Sequence, residues 1–217
     1  MGIKIYIADS QHEQFAEEIC DMINEASQKR GTGIAKRSPV YIAQKLSKSR
    51  AIIAFDKDKV VGFCYLETWG HDKYVANSGL IVHEDYRGSG LAGNIKTKAF
   101  ELSRKKFPEA KLFGITTSLP VMRINSDLGY KPVTFSELTD DQAFWDGCKG
   151  CRNHDILERN NHKMCLCTGM LFDPAKELPK QERESKSQRW TNFKRFLKLR
   201  KIRTKRLFQS LKNISLL

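Results

Sequence analysis

No run of this 217-residue chain approaches the eighteen or so apolar residues that a membrane-spanning helix requires, so no transmembrane segment is expected. The first residues, MGIKIYIADS, alternate like a strand and lack the apolar core of a secretory signal peptide, which makes a cytoplasmic protein the expectation. Met1-Gly2 begins like a myristoylation signal, but Tyr6 stands where Ser or Thr is needed. Acidic residues are scarce at one end only. From Lys180 to Leu217 thirteen Lys and Arg face two Glu, a net of +11 out of the whole chain's +13. Residues 1–179 carry 25 basic and 23 acidic side chains and are nearly neutral, so attraction to nucleic acid or anionic lipid belongs to the tail alone.

What is present suffices for one ordinary domain with an appendage: 217 residues, 40% of them apolar. Residues 3–8 alternate as a first strand. Asp9 or Ser10 caps a helix whose apolar face includes Phe15, Ile19, Met22, Ile23 and Ala26. Gly31-Thr32-Gly33 breaks it, and Ser38-Pro39 opens a second helix. Ala51 to Phe55 and Val60 to Trp69 read as a hairpin across Asp56-Lys57-Asp58-Lys59, and Tyr74 to Val82 as the next strand. A helix over 94–107, a strand over 111–116, a short helix from Pro120 to Leu128 and a strand from Tyr130 to Thr134 follow.

The most informative segment joins the strand ending in Gly79-Leu80-Ile81-Val82 to the helix after it: Tyr86-Arg87-Gly88-Ser89-Gly90-Leu91-Ala92-Gly93. A glycine-rich turn there leaves backbone N–H groups free at the positive end of the helix dipole, a site suited to phosphate or pyrophosphate. Gly88-x-Gly90-x-x-Gly93 also spells the dinucleotide fingerprint. However, some eighty residues precede it, and the next strand ends in Thr-Thr-Ser rather than the acidic residue a ribose requires. Arg87-x-x-Gly90-x-Ala92 instead resembles the acyl-CoA pyrophosphate loop of the GNAT N-acyltransferases, and the order β-α-α-β-β-β-α-β-α-β is the GNAT order. The resemblance covers about residues 3–135. It implies an α/β (α+β) GNAT fold with a mixed, mostly antiparallel central sheet flanked by helices. It also implies a cofactor site formed by Leu80, Ile81, Val82, Arg87, Gly88, Ser89, Gly90, Leu91, Ala92 and Asn125. Gly129-Tyr130 fits a second GNAT landmark, the Gly-aromatic pair. Asn125, however, stands where the family often has the Tyr that protonates the leaving thiolate; Tyr130 is the nearest phenol in sequence.

The strings GTGIAKRSP, ETWGHDKYVANSGLIVH, FGITT and FSELTDDQAFWDGC are similar to one GNAT subgroup, stand-alone proteins of Bacteroidetes-type bacteria in arginine-biosynthesis operons. That resemblance implies acylation of the α-amino group of glutamate, with acetyl-CoA or succinyl-CoA as donor. A GNAT acting on protein or ribosomal amines and a non-catalytic acyl-CoA-binding module are the alternatives. Acyl transfer needs a neutral amine, a polarised carbonyl and a stabilised thiolate. Glu67, in an apolar strand, and His71 and Asp72, in the turn after it, are the candidate bases, with a water relay as the alternative. A substrate with two carboxylates needs cations, for which Lys36, Arg37 and Arg123 are candidates; Thr32, Trp69 and Asn77 are possible liners of the same pocket.

Cys148-x-x-Cys151 and Cys165-x-Cys167, thirteen residues apart, approach the spacing of a structural zinc site; reduced thiols and redox disulfides are the alternatives, and His154 and His162 are substitute ligands. The domains expected are a core over 1–135, a Cys-rich extension packed on it over 136–179, and a basic tail over 180–217. The tail interleaves aromatic and basic residues as an RNA- or anionic-membrane-binding helix does, and is equally compatible with a loosely docked segment.

Overall fold

A computed structural model describes residues 2–30 and 36–177; residues up to Ala175 form one compact unit. The chain runs β1 (Lys4–Ile7), α1 (Ala16–Arg30), α2 (Pro39–Ser47), β2 (Ala51–Asp56), β3 (Lys59–Trp69), β4 (Tyr74–Val82), α3 (Leu91–Lys106), β5 (Lys111–Thr116) and α4 (Leu119–Asp127). It ends with β6 (Lys131–Val133), α5 (Gln142–Asp146), α6 (His154–Arg159) and β7 (Thr168–Phe172). Local chemistry sets several of these boundaries. Asp9 accepts from the Gln11 N–H at the start of a 3-10 turn that leads into α1. Ser38 caps α2 through the Tyr41 N–H, with Pro39 as the first helical residue.

The strands form one mixed sheet in the order β1-β2-β3-β4-β5-β7-β6, antiparallel throughout except for the β4–β5 pair. Both faces are covered, which is why β2 and β3 read as nearly unbroken apolar runs rather than as alternations. Ala51, Ile53, Phe55, Phe63 and Tyr65 pack beneath α1 and α2, while Ile52, Ala54, Cys64 and Leu66 pack on the other face beneath α3. A third cluster joins Phe113 and Leu171 to Phe135, Trp145 and Leu157. The stretch read as an extension contributes β7 to the sheet interior: Leu112 pairs with Phe172 on one side, and Lys131 with Leu171 on the other.

Two features open the sheet at its centre. The β4–β5 ladder stops after Tyr74↔Lys111, Val75↔Leu112 and Ala76↔Phe113, so the strands part from Asn77 onward. The β3–β4 register also slips between Phe63↔Ile81 and Tyr65↔Ser78, and the extra residue includes Gly79 at φ +64°. A Cβ on Gly79 would lie 2.5 Å from the Tyr65 ring, so both the backbone angle and the space require glycine. Among the described residues no helix is long and apolar enough to cross a membrane. The basic tail over 180–217 and Thr32 lie outside the described residues.

Candidate active site

The opening between β4 and β5 leads into a cavity of about 450 Å³. Its walls come from β4 (Asn77 to Ile81), the end of β5 with Thr117 and Ser118, Asn125 on α4, Lys96 on α3, and Arg37 and Tyr41 at the start of α2. Trp69 and the segment from Ala143 to Cys167 close the remaining side. Volumes of this order suit a small ligand held by an apolar wall with a few placed polar groups.

Three buried side-chain atoms have no partner within the protein among the described residues: Trp69 Nε1, Asn125 Oδ1 and Asn153 Nδ2. All three residues line this cavity. A buried donor or acceptor left unmet costs about 1–3 kcal/mol, so two donors and one acceptor here favour a polar occupant. Arg37 adds a guanidinium. Its Nε donates to Tyr65 Oη at 2.8 Å, its Nη1 to the Lys36 carbonyl at 2.9 Å, and its centre lies 5.9 Å from the Tyr41 ring.

Behind the wall, Glu67 forms an ion pair with Lys45 and accepts a hydrogen bond from the Tyr41 hydroxyl. Burial, then Tyr65 and Glu67 beside it, push the Tyr41 phenol above its ordinary range, so it remains a donor at neutral pH. Tyr41 therefore stands between the cavity and the Glu67 carboxylate, which is not itself among the lining groups.

α3 is preceded by Gly90, an N-cap residue in the left-handed region at φ +84° with no side-chain cap. The first N–H groups of this sixteen-residue helix are thus left without a cap, while Gly88, at φ +79°, and Gly90 carry no Cβ to obstruct a ligand. Arg87 Nε donates to the Val82 carbonyl at 3.2 Å, and Ser89 Oγ donates to the Tyr86 carbonyl at 2.6 Å, which fixes the turn.

The structure brings together only some of the residues singled out from sequence. Leu80, Ile81, Asn125 and Arg37 share the cavity, as do the Trp69 and Asn77 side chains named as possible liners. Val82 is buried beside it, and Leu91 is core. Arg87 borders a separate small hollow with Lys29 and Glu84. Lys36 is exposed, and so is Arg123, which α4 turns outward; neither lines the cavity. His71 is exposed in the β3–β4 turn at φ +56°, also away from it. Tyr130 is buried and donates to Asn77 Oδ1 at 3.0 Å, and burial raises its phenol far above the ordinary range.

Cys148, Cys151, Cys165 and Cys167 gather on the cavity wall, but among the described residues no group of three His, Cys, Asp or Glu is arranged to hold a metal. The structure thus lends zinc no support. The thiols instead hold the loop that presents Asn153, whose N–H donates to Cys151 Sγ and whose carbonyl faces Cys165 Sγ. Burial and neighbouring thiols push Cys148 up to about 11 and Cys167 up to about 12. His162 stacks on Trp145, with ring centroids 5.6 Å apart.

Sequence reading passed over Tyr41, Tyr65, Lys96 and Asn153. Only Lys96 left a signal: it interrupts the inward stripe of α3 formed by Leu91, Ile95, Ala99 and Leu102.

A mixed sheet splayed after the fourth strand, with a glycine turn and an uncapped helix beside the split, defines the class. Residues 16–118 match the model of the Acetyltransferase (GNAT) family, and the sheet and helices built around that stretch have the GNAT fold. Known structures share the fold at low identity. An N-acetylglutamate synthase from Neisseria gonorrhoeae, complexed with coenzyme A and N-acetyl-glutamate, superposes with TM-score 0.58 at 16% identity over 80% of this chain. This chain spans only 35% of that enzyme's length. A Mycobacterium tuberculosis protein in complex with CoA gives TM-score 0.55 at 14% identity, over 78% of this chain and 98% of its own. A GNAT acetyltransferase from Staphylococcus aureus gives 0.59 at 11%, over 80% and 99%. None of the curated proteins matches the chain in sequence.

Proposed function

We propose that this protein transfers an acetyl or succinyl group from acyl-CoA to the α-amino group of a small amino acid, glutamate being the substrate that best fits, as a step of arginine biosynthesis. The observation that carries the reading is the polar set left open in the central cavity. Arg37, Trp69 Nε1 and Asn153 Nδ2 are the donors a dicarboxylate asks for, and Asn125 Oδ1 is an acceptor suited to an amine or amide. The subgroup strings described above and the N-acetyl-glutamate held by the Neisseria enzyme point the same way.

In this reading the CoA pyrophosphate lies on the free N–H groups of Gly88 to Ala92, and the pantetheine follows β4 past Leu80 and Ile81. Free β4 amides polarise the thioester carbonyl. The acceptor loses its proton through water ordered by Tyr41 and Glu67, an arrangement that spares the carboxylate from direct contact with the substrate.

The test is release of CoA thiol by purified protein, with acetyl-CoA and succinyl-CoA each offered glutamate, ornithine, arginine and a mixed peptide pool. Release with glutamate alone is expected, and the better donor names the acyl group. Release with peptides alone would transfer the activity to protein amines, and silence despite measurable acyl-CoA binding would leave a binding module.

A further inference from the structure

Lys96 is the one lysine of α3 that the fold buries on its inward face; 2% of its surface is exposed. Its place coincides with the split in the sheet. The β4–β5 ladder ends at Ala76, and Asn77 is the first β4 residue beyond it. The Lys96 ammonium donates to the Asn77 carbonyl at 3.2 Å, so a side chain rather than a strand meets β4 at the apex of the opening. Lys96 also lines the cavity, together with Asn77, Ser78 and Asn125.

The groups around it explain why it is there to act rather than to pair. Cys64 on β3 and Tyr130 ahead of β6, whose ring centre lies 5.5 Å from Nζ, are the titratable groups that face it; no described carboxylate does. Asn77 is itself held on both sides, donating to Ser103 Oγ at 2.7 Å and accepting from Tyr130 at 3.0 Å. The ammonium is thus fixed by a satisfied network, with the cavity as its open side. Asn125 on α4, whose amide does not titrate, lines the same cavity.

We propose that Lys96 is the proton donor to the CoA thiolate as it leaves. The inference rests on the acyl-transfer reading above and names a catalytic residue for it. The acceptor nitrogen attacks the thioester carbon, the C–N bond forms and the C–S bond breaks, and the electron pair passes to sulfur. Lys96 gives its proton to that sulfur, yielding free CoA thiol and a neutral lysine. The proton lost by the amine returns through water, so the balance closes without any further reactant. Burial lowers Lys96 to about 8, close to an alkyl thiol at about 8.5, the match that makes proton transfer efficient in both directions.

The experiment compares full-length wild type with Lys96→Met and Lys96→Arg, using whichever amine gives CoA release. Acyl-CoA affinity, measured by calorimetry, reports whether each variant keeps its site. For wild type, kcat is expected to fall above about pH 8 as the donor loses its proton. Lys96→Met is expected to retain acyl-CoA affinity, lose about 100-fold in kcat and lose that alkaline fall. Lys96→Arg, which keeps a cation that gives up no proton, is expected to stay as slow. Wild-type-like kcat in Lys96→Arg, or an alkaline fall that survives in Lys96→Met, overturns the proposal. If neither variant folds, a wild-type kcat with no fall above pH 8 overturns it. No CoA release by wild type with any amine would instead sink the acyl-transfer reading itself.

Discussion

Arg37 enters the cavity from the start of α2 and is held by Tyr65 and Tyr41, so its guanidinium is oriented before any ligand arrives. Charge-assisted hydrogen bonds contribute about 1.5–3 kcal/mol, which converts to about 10- to 100-fold in affinity. Arg37→Met is therefore expected to raise the acceptor KM by about that factor while leaving the acyl-CoA KM nearly unchanged, as initial-rate kinetics would show. The neighbouring pair Lys36-Arg37 was legible in the sequence as a cationic candidate, but which member faces inward was not: that depends on the rotation of one peptide unit relative to Tyr65. Lys96 carries a stability consequence of the opposite kind. Its folded pKa, about 8, lies below the ordinary lysine value, so the unfolded chain binds the proton more tightly and folding is opposed while the group is charged. Lys96→Met is expected to be more stable than wild type at pH 7, by an amount of order 3 kcal/mol, because a shift of one unit is worth 1.36 kcal/mol. Denaturant titration would show that gap closing as pH rises from about 8 to 10.5. Cys148 and Cys167, raised by burial and by neighbouring thiols, stay protonated at pH 7. Their alkylation is expected to be slow there and to accelerate toward pH 11, whereas a bound zinc would hold them as thiolates and appear in metal analysis.

At the scale of elements, β4 concentrates the design. It pairs along its first three residues with β5 and parts from it at Asn77, while Ser78 and Gly79, at the bulge against β3, line the cavity. Gly79→Ala would put a methyl into the Tyr65 ring at a backbone angle that L residues avoid. A loss of about 1–3 kcal/mol is expected by denaturant melting, with a raised acceptor KM because Tyr65 orients Arg37. The elements themselves were largely legible. Ser38-Pro39 marked α2, the Asp-Lys-Asp-Lys turn marked the β2–β3 hairpin, and the glycine turn marked the start of α3. These signals are local, and neighbouring residues supply the caps and turns. α3 began at Leu91 rather than at the expected Asn94, because Gly90 itself supplies the left-handed residue that starts the helix. β7 was not read as a strand: its short apolar run, Thr168–Phe172, gains its identity only from the gap between β5 and β6.

For the whole molecule, β7 ties the late segment into the sheet, so the core and the Cys-rich stretch are expected to unfold together. Truncation after residue 177 should keep the unit that ends at Ala175, whereas truncation after Cys167 removes β7, exposes the β5 and β6 edges and is expected to abolish folding. Circular dichroism of the two truncated chains would show the difference. The net +11 carried by residues 180–217 makes a second comparison possible with the same proteins. Salt-sensitive retention on RNA or anionic vesicles by the full chain, lost in the 1–177 form, is expected if the tail serves as an anchor.

The sequence by itself determined the order of the first ten elements and the place of the glycine turn ahead of α3, because periodicity, caps and glycine spacing act over a few residues. Only the tertiary structure decided which polar groups face one another. Arg37, Trp69, Lys96, Asn125 and Asn153 come from five separate stretches, and they meet because β4 and β5 diverge and β7 closes the far side. A side chain's chemistry is written locally, but its burial and its partners belong to the packing of distant elements.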